Sequence, residues 1–340
     1  MNLRSERTMK NKDIKLLFLA KYAPESINSP IPSGIHDTVY AQYHHDIYKI
    51  LYEEFETIIS MSDINEYVNN RPSVDFVFSL YNRMPFRNSE IFVSSLSEYY
   101  KIPYLGATPN VRAIAEDKHF AKLTALYAGI PTAKWSVCNV GDNFPVVNFD
   151  GPYFVKPRFG ATSIGINNMS FCLDIDSMLE RIKYFHSQNL DVIIEQYIEG
   201  TSVTVPILNN FNNTLVLPYV IEQSTLEHNI ITYEQKRKIK AGLSRVVNTD
   251  SNMQHIINKY SIKFWEYIQP LDYTRIDFII DKNNIPHFIE FNICCNLGKH
   301  AAINLAANAK NISYEALINN ITYSSLYRQN LIDTFCGKKL

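Results

Sequence analysis

Residues 275–292 constrain this chain more than any other segment. They run Arg-Ile-Asp-Phe-Ile-Ile, then Asp-Lys-Asn-Asn, then from His287 a second alternating stretch, His-Phe-Ile-Glu-Phe-Asn. Two period-two segments around a cluster of turn residues predict an antiparallel hairpin. Alternation puts Arg275, Asp277 and Ile279 on one face, with Glu290 and Asn292 on the matching face of the second strand. Closing the turn around Asn283 sets Asp277 nearly opposite Glu290. Facing like charges destabilise a strand pair, and a cation between them removes that penalty. Two carboxylates and an asparagine carbonyl are hard oxygen ligands of the kind that suit Mg²⁺ bound to phosphates. A solvated outer face, each carboxylate paired with a lysine, satisfies the same pattern, so both readings stay open here.

The rest of the chain can support such a hairpin with a real core. Its 340 residues correspond to two or three domains of ordinary size. With 46% apolar and 20% charged residues, extended disorder and coiled coil are excluded. The formal net charge is −1, so the basic excess of a nucleic-acid or anionic-membrane binder is missing. No apolar run approaches the ~18 residues of a membrane-spanning helix. The apolar run Ile14 to Ala20 has no small-residue cleavage site behind it and reads as a first strand rather than a leader. Five cysteines form no CxxC pair and no ladder with histidine, which argues against zinc. Their odd number suits a reducing, cytoplasmic setting. Adjacent Cys294 and Cys295 read as small buried thiols.

Alternating elements in the first third (strand from Lys15, helix from Asp37 to Phe55, strand Val74–Ser79, helix from Ser89, strand Ile102–Leu105) predict an open α/β sheet. A second region opens near Glu116 with a helix to Ala128, strands at 152–157 and 192–198 and a helix at 177–186. A third carries strands at 204–208, 215–221, 275–280 and 287–293 and helices at 251–267, 301–309 and 313–321. The polar, mixed-sign stretch 223–250 reads as a solvated loop or a lid.

Two further segments carry chemistry. In Val155-Lys156-Pro-Arg-Phe-Gly160-Ala-Thr-Ser163-Ile-Gly165 a strand delivers a lysine into a small-residue loop with two of only 11 glycines. Small side chains let backbone N–H groups approach phosphate oxygens, although an ordinary hairpin loop has the same composition. The lysine precedes the glycines, so this is not a Walker loop. Lys118, at a helix start, offers a second phosphate cation or a solvated side chain. Ile193-Ile-Glu195-Gln196-Tyr-Ile198-Glu-Gly200 runs a strand into a polar turn, where main-chain groups can meet a flat base and Glu195 can accept from an exocyclic amine.

In this order the segments resemble the ATP-grasp superfamily, and within it the D-alanine–D-alanine ligase group. The resemblance covers about residues 75–320. Glu116-Asp-Lys118, Lys156–Gly165 and Arg275-Ile-Asp277…Glu290-Phe-Asn292 carry it. It implies an α/β (α+β overall) ATP-grasp fold of three subdomains: an N-terminal α/β substrate part (1–115), a central part (116–202) and a C-terminal part with the magnesium site (203–340). ATP would lie between the last two. Lys118 and Lys156 match the lysines on the ATP phosphates. The loop with Gly160, Thr162 and Ser163 matches the mobile phosphate cover, and Glu195, Gln196 and Ile198 match the adenine hinge. Tyr233 and Lys236 match the substrate-side lid. Asp277, Glu290 and Asn292 match the magnesium ligands (two ions, with Mn²⁺ as a substitute), and Arg275 matches the arginine that stabilises the acyl phosphate and tetrahedral intermediate. A homodimer is a fold-level expectation.

Departures from the family pattern concern the substrates. The acidic ribose contact after the hinge glycine is here Ser202. The family's Gly-rich His-Gly segment is Tyr81–Glu90, in which Arg83 and Arg87 form a possible fork for a carboxylate. Ile293-Cys-Cys-Asn296-Leu-Gly-Lys299-His300 replaces a Pro-Gly turn and a carboxylate-binding serine, leaving Asn296, Lys299 and His300 as substitutes. The resulting expectation is an ADP-forming ligase joining a small-molecule carboxylate and an amine other than two free D-alanines. True D-alanine–D-alanine ligase is the enzymatic alternative, and a catalytically retired nucleotide-binding scaffold is the alternative of a different class.

Overall fold

A computed structural model describes residues 11–31, 37–70, 72–81, 84, 86, 89–142, 145–160, 163, 165–211, 213–236, 241–248 and 251–333. Three sheets organise it. The first is parallel, with Asn11–Leu19 between Phe55–Met61 and Phe76–Ser79. Helix Thr38–Glu54 covers one face. The second is a four-stranded antiparallel sheet, ordered Trp135–Cys138, Val192–Gln196, Tyr153–Pro157, Phe171–Cys172. Helix Ile175–Ser187 packs its apolar stripe (Met178, Ile182, Phe185) on that sheet. The third has six strands around Gly200–Asn210 and Tyr273–Asp281, which pair antiparallel over nine residues. Helices Pro109–Glu116, Lys118–Tyr127 and Ser251–Tyr267 pack on one face of this sheet. Helices Ala302–Asn308 and Tyr314–Arg328 share a core with the parallel sheet.

Local chemistry fixes the elements that matter most for the site. Asp117 caps helix Lys118–Tyr127 by accepting from the His119 N–H (2.9 Å), and the same carboxylate holds the Arg158 guanidinium through two nitrogens (2.9 and 2.7 Å). One aspartate thus ties the helix bearing Lys118 to the loop after Lys156. Gly200 passes so near strand Tyr273–Asp281 that a Cβ would sit 2.2 Å from the Ile280 carbonyl. Only glycine permits that approach.

The expected hairpin is present as Tyr273–Asp281 and Pro286–Asn292, with Asp277 directly opposite Glu290. Elsewhere several elements differ from expectation, among them helices Ile64–Asn69 and Pro109–Glu116 and strand Trp135–Cys138, which the sequence reading did not include. Strand Phe55–Met61 follows its helix with no intervening turn residue. The Ile102–Leu105 strand shrinks to one bridge, Val77 to Tyr104. The apolar stretch 215–221 divides at Leu217-Pro218-Tyr219, because proline cannot donate to the ladder. Within 223–250, Leu243–Val247 is an edge strand paired with Val220–Ser224, not loop. Among the described residues, no helix is long and apolar enough to cross a membrane.

Candidate active site

A cleft of about 340 Å³ opens between the four-stranded and six-stranded sheets. Lys118, Lys156, Gly160, Ser163, Glu195, Gln196, Ile198, Ser202, Lys236, Asp277 and Glu290 all line it. A second, smaller cavity of about 60 Å³ adjoins it along the same face of the hairpin and is lined by Arg275, Asn292, Asn296 and His300. Lys236 borders both cavities. Tyr233 and Lys299 line neither. Lys299 instead pairs with Asp46 of helix Thr38–Glu54 at 3.1 Å, with its side chain 63% exposed. An opposite charge on an adjacent element has drawn it outward. Thr162, Arg83 and Arg87 lie outside the described residues.

The cationic wall is built from two buried lysines on different elements. The Lys118 ammonium donates to the Gly160 carbonyl, and Gly160 holds φ at +84° with nothing within 4 Å of a would-be Cβ. Glycine is there for its conformation. Lys156 ends its strand with Nζ 2.9 Å from Glu195, while Lys122 approaches the other Glu195 oxygen at 3.0 Å. All three side chains are essentially buried. Burial alone would raise the Glu195 carboxyl, but Lys122 and Lys156 outweigh it and hold it low. Glu195 therefore lines the cleft with each carboxylate oxygen already facing an ammonium group. Its neighbours Gln196, Tyr197 and Ile198 line the cleft. Lys122 escaped sequence reading, although it stands four residues after Lys118 and so shares its helix face.

The acidic wall is the hairpin. Asp277 accepts from Thr204 Oγ1 (2.6 Å) on one oxygen, and from Arg275 Nη2 (3.0 Å) and Asn292 Nδ2 (3.2 Å) on the other. Glu290, by contrast, accepts no hydrogen bond from any described residue. Burial opposes its ionisation, yet Lys118, Lys236, Lys156 and Arg275 hold it at about 2. Burial and the facing Glu290 push Asp277 up despite Arg275, so the pair carries its charge first on Glu290. An ionised, half-buried carboxylate with no donor, opposite a second carboxylate and an amide, fits a divalent cation. Among the described residues no three His, Cys, Asp or Glu side chains gather to hold a metal alone. Such an ion would need phosphate oxygens to complete its shell, as Mg²⁺ commonly does.

Residues 127–323, more than half of the chain, match the family described as D-ala D-ala ligase C-terminus. The chain belongs to the D-alanine–D-alanine ligase family. It is an ATP-dependent, ADP-forming ligase of ATP-grasp fold. It is 29% identical over 238 residues to the D-alanine–D-alanine ligase of Clostridium botulinum strain Hall, covering 69% of this chain and 76% of that protein. The fold resembles the Bacillus anthracis D-alanine–D-alanine ligase solved with ATP (TM-score 0.69, 19% identity, 94% of this chain and 99% of that one). VanG D-Ala:D-Ser ligase from Enterococcus faecalis has a TM-score of 0.68 at 14% identity, over 93% and 100% of the two chains.

Two expected results follow for a family member with this cleft. A charge-assisted contact to phosphate contributes roughly 1.5–3 kcal/mol, so Lys156→Ala should weaken binding of a non-hydrolysable ATP analogue at least about tenfold by titration calorimetry; unchanged affinity would remove Lys156 from the phosphate site. Burial pushes the Lys118 ammonium down to about 8, against the pull of Glu290. Above that pH the free protein loses a cation, so analogue affinity should fall by up to roughly tenfold per pH unit once pH exceeds 8, and vary little from Lys118 below it. A flat profile through 8 would exclude Lys118.

Proposed function

We propose that the chain joins a carboxylate to an amine through an acyl phosphate, and that its substrates are amino acids or small peptides other than two free D-alanines. One observation carries this reading. The two cavities adjoin along one face of the hairpin, with Asp277 and Glu290 lining the cleft, Arg275 and Asn292 two residues along their strands lining the smaller cavity, and Lys236 lining both. A phosphate chain along Lys118 and Lys156 would end where a carboxylate in the second cavity could reach it. ATP would then lie between the central part (116–202) and the C-terminal part (203–340), its base against Gln196–Ile198.

Asp277, Glu290 and Asn292 would hold Mg²⁺, or Mn²⁺ in its place, which when bound draws negative charge from the phosphate oxygens. The chain's own residues position the reaction. A substrate carboxylate oxygen attacks the γ-phosphorus and ADP leaves. The amine of the second substrate then attacks the acyl carbon, loses a proton and expels phosphate. Arg275 and Lys236 face the oxygens that gain charge in both steps, and preorganised cations there need no side-chain nucleophile. Asn292 donates its amide N–H to Asp277 as the structure stands, and would turn its carbonyl toward a cation.

The test is ADP release against a matrix of amino acids and small peptides, with mass detection of coupled product. A pair other than two D-alanines should give the highest rate. A second reading, D-alanine–D-alanine ligase itself, is favoured by the name of the Clostridium relative, and D-alanine preferred at both positions would establish it. The VanG relative, named for D-Ala and D-Ser, supports a family whose second substrate can change.

A further inference from the structure

The smaller cavity differs from the cleft in the sign of its walls. Lys236, Arg245 and Arg275 line it, and no aspartate or glutamate among the described residues does. Arg245 has no counterpart in the mechanism above. It sits on edge strand Leu243–Val247, where Ser244 and Val246 are exposed while Arg245 faces inward, its side chain 15% exposed. An inward arginine on an edge strand is costly to desolvate unless something holds it. Its cross-strand partner Glu222 supplies part of that, accepting from Nε at 2.6 Å. Nε is the only guanidinium nitrogen so engaged; the two terminal nitrogens donate to no described residue. Arg275 is similar: Nη2 holds Asp277, while Nε is buried with no partner among the described residues. The cavity thus presents unspent donors from two arginines on two different strands, plus the Lys236 ammonium.

We infer that Arg245 is a specificity-determining residue and that this cavity takes a substrate with two anionic groups, an amino acid with an acidic side chain. This rests on the ligase reading for the reaction but adds the substrate class. The carboxylate that reacts lies by Arg275 and Lys236. The second carboxylate takes the terminal nitrogens of Arg245, whose planar fork suits it. Tyr40 and Tyr43 close the cavity opposite, leaving only about 60 Å³, which favours a short side chain. A neutral side chain such as that of alanine would leave the two terminal nitrogens of Arg245 without an anion in the cavity.

The test is calorimetric binding of D- and L-aspartate, D- and L-glutamate and alanine to the full chain, with a non-hydrolysable ATP analogue and Mg²⁺ present. An acidic amino acid should bind at least about tenfold tighter than alanine. Arg245→Met should erase that preference with analogue affinity unchanged. Because it strands Glu222, the double variant Glu222→Leu/Arg245→Met is measured beside it and should lose the preference equally. Alanine binding as tightly as the acidic amino acids, or a preference that survives in the variants, would overturn the inference. ADP release on the same amino acids separates the two claims. Acidic binding without ADP from any pair would fail the ligase reading and leave the pocket standing. ADP from neutral pairs alone would fail the pocket and leave the ligase standing.

Discussion

Glu290→Gln should reduce ADP release by at least about 10²–10³-fold while the protein stays folded. The magnitude is that of removing one preorganised electrostatic contact from a phosphoryl-transfer site. The fold should tolerate it, because Glu290 accepts no hydrogen bond from a described residue and the glutamine is isosteric. Some stability should still be lost at neutral pH, roughly 1–3 kcal/mol, because Lys118, Lys236, Lys156 and Arg275, which hold the Glu290 carboxyl at about 2, lose that negative charge. The sign of the effect on nucleotide binding is more informative than the rate. Without divalent metal, Glu290 repels the phosphates, so the variant should bind an ATP analogue at least as tightly as the parent. With Mg²⁺ present the order should reverse. Calorimetry with and without chelator reads both arms. A variant weaker in both conditions would mean that Glu290 shapes the pocket rather than meeting a cation. Asp277→Asn should also stop turnover, but with some loss of stability, since Asp277 holds Thr204, Arg275 and Asn292 together.

The largest stability effect is expected at Glu195. Glu195→Leu would leave Lys122 and Lys156 buried side by side with no anion between them, and removing one partner of a buried ion cluster costs roughly 3–5 kcal/mol. The pH dependence has a definite sign. Burial already holds the Lys122 ammonium below its usual range against the pull of Glu195, and without Glu195 it falls further. A folded-state depression of a lysine destabilises at every pH below the folded value, and the loss is recovered as pH rises through that value toward the unfolded one. The deficit in urea unfolding should therefore be greatest at neutral pH and shrink in alkali. A deficit under about 1 kcal/mol, or one that grows with pH, would show that the triad does not hold the four-stranded sheet to helix Lys118–Tyr127.

Local pattern made part of this site legible. The alternation of 275–292 and its turn residues set both strands and their register, so Asp277 opposite Glu290 followed from the sequence. Lys156 and the glycine loop could be picked out as a candidate from local pattern, a lysine near a strand end before small residues, and they do line the cleft. Pairings between distant elements were not readable. Lys122 looks like any lysine on an amphipathic helix until the Val192–Gln196 strand brings Glu195 to it. Leu243–Val247 carries an arginine inward and a valine outward, the reverse of the usual polarity, because Glu222 and a cavity take the place of apolar packing. That inversion is why the stretch read as loop. The strand Phe55–Met61 was hidden by direct passage from helix to strand. Ser202 in place of an acidic residue was visible, but its bond from the Asn229 amide (3.2 Å) depends on a turn 27 residues later.

The central claim is that a carboxylate is activated by phosphorylation before the amide forms, and isotope transfer tests it most directly. The chain is supplied with ATP, Mg²⁺, the best amine from the substrate matrix and its carboxylate partner labelled with ¹⁸O in both carboxyl oxygens. The phosphate released is then weighed by mass spectrometry. The account predicts that each phosphate formed carries one ¹⁸O atom from the carboxylate, in step with ADP and amide. Phosphate without label, formed at the same rate as ADP, would mean that water rather than a carboxylate attacks ATP, and would contradict the account.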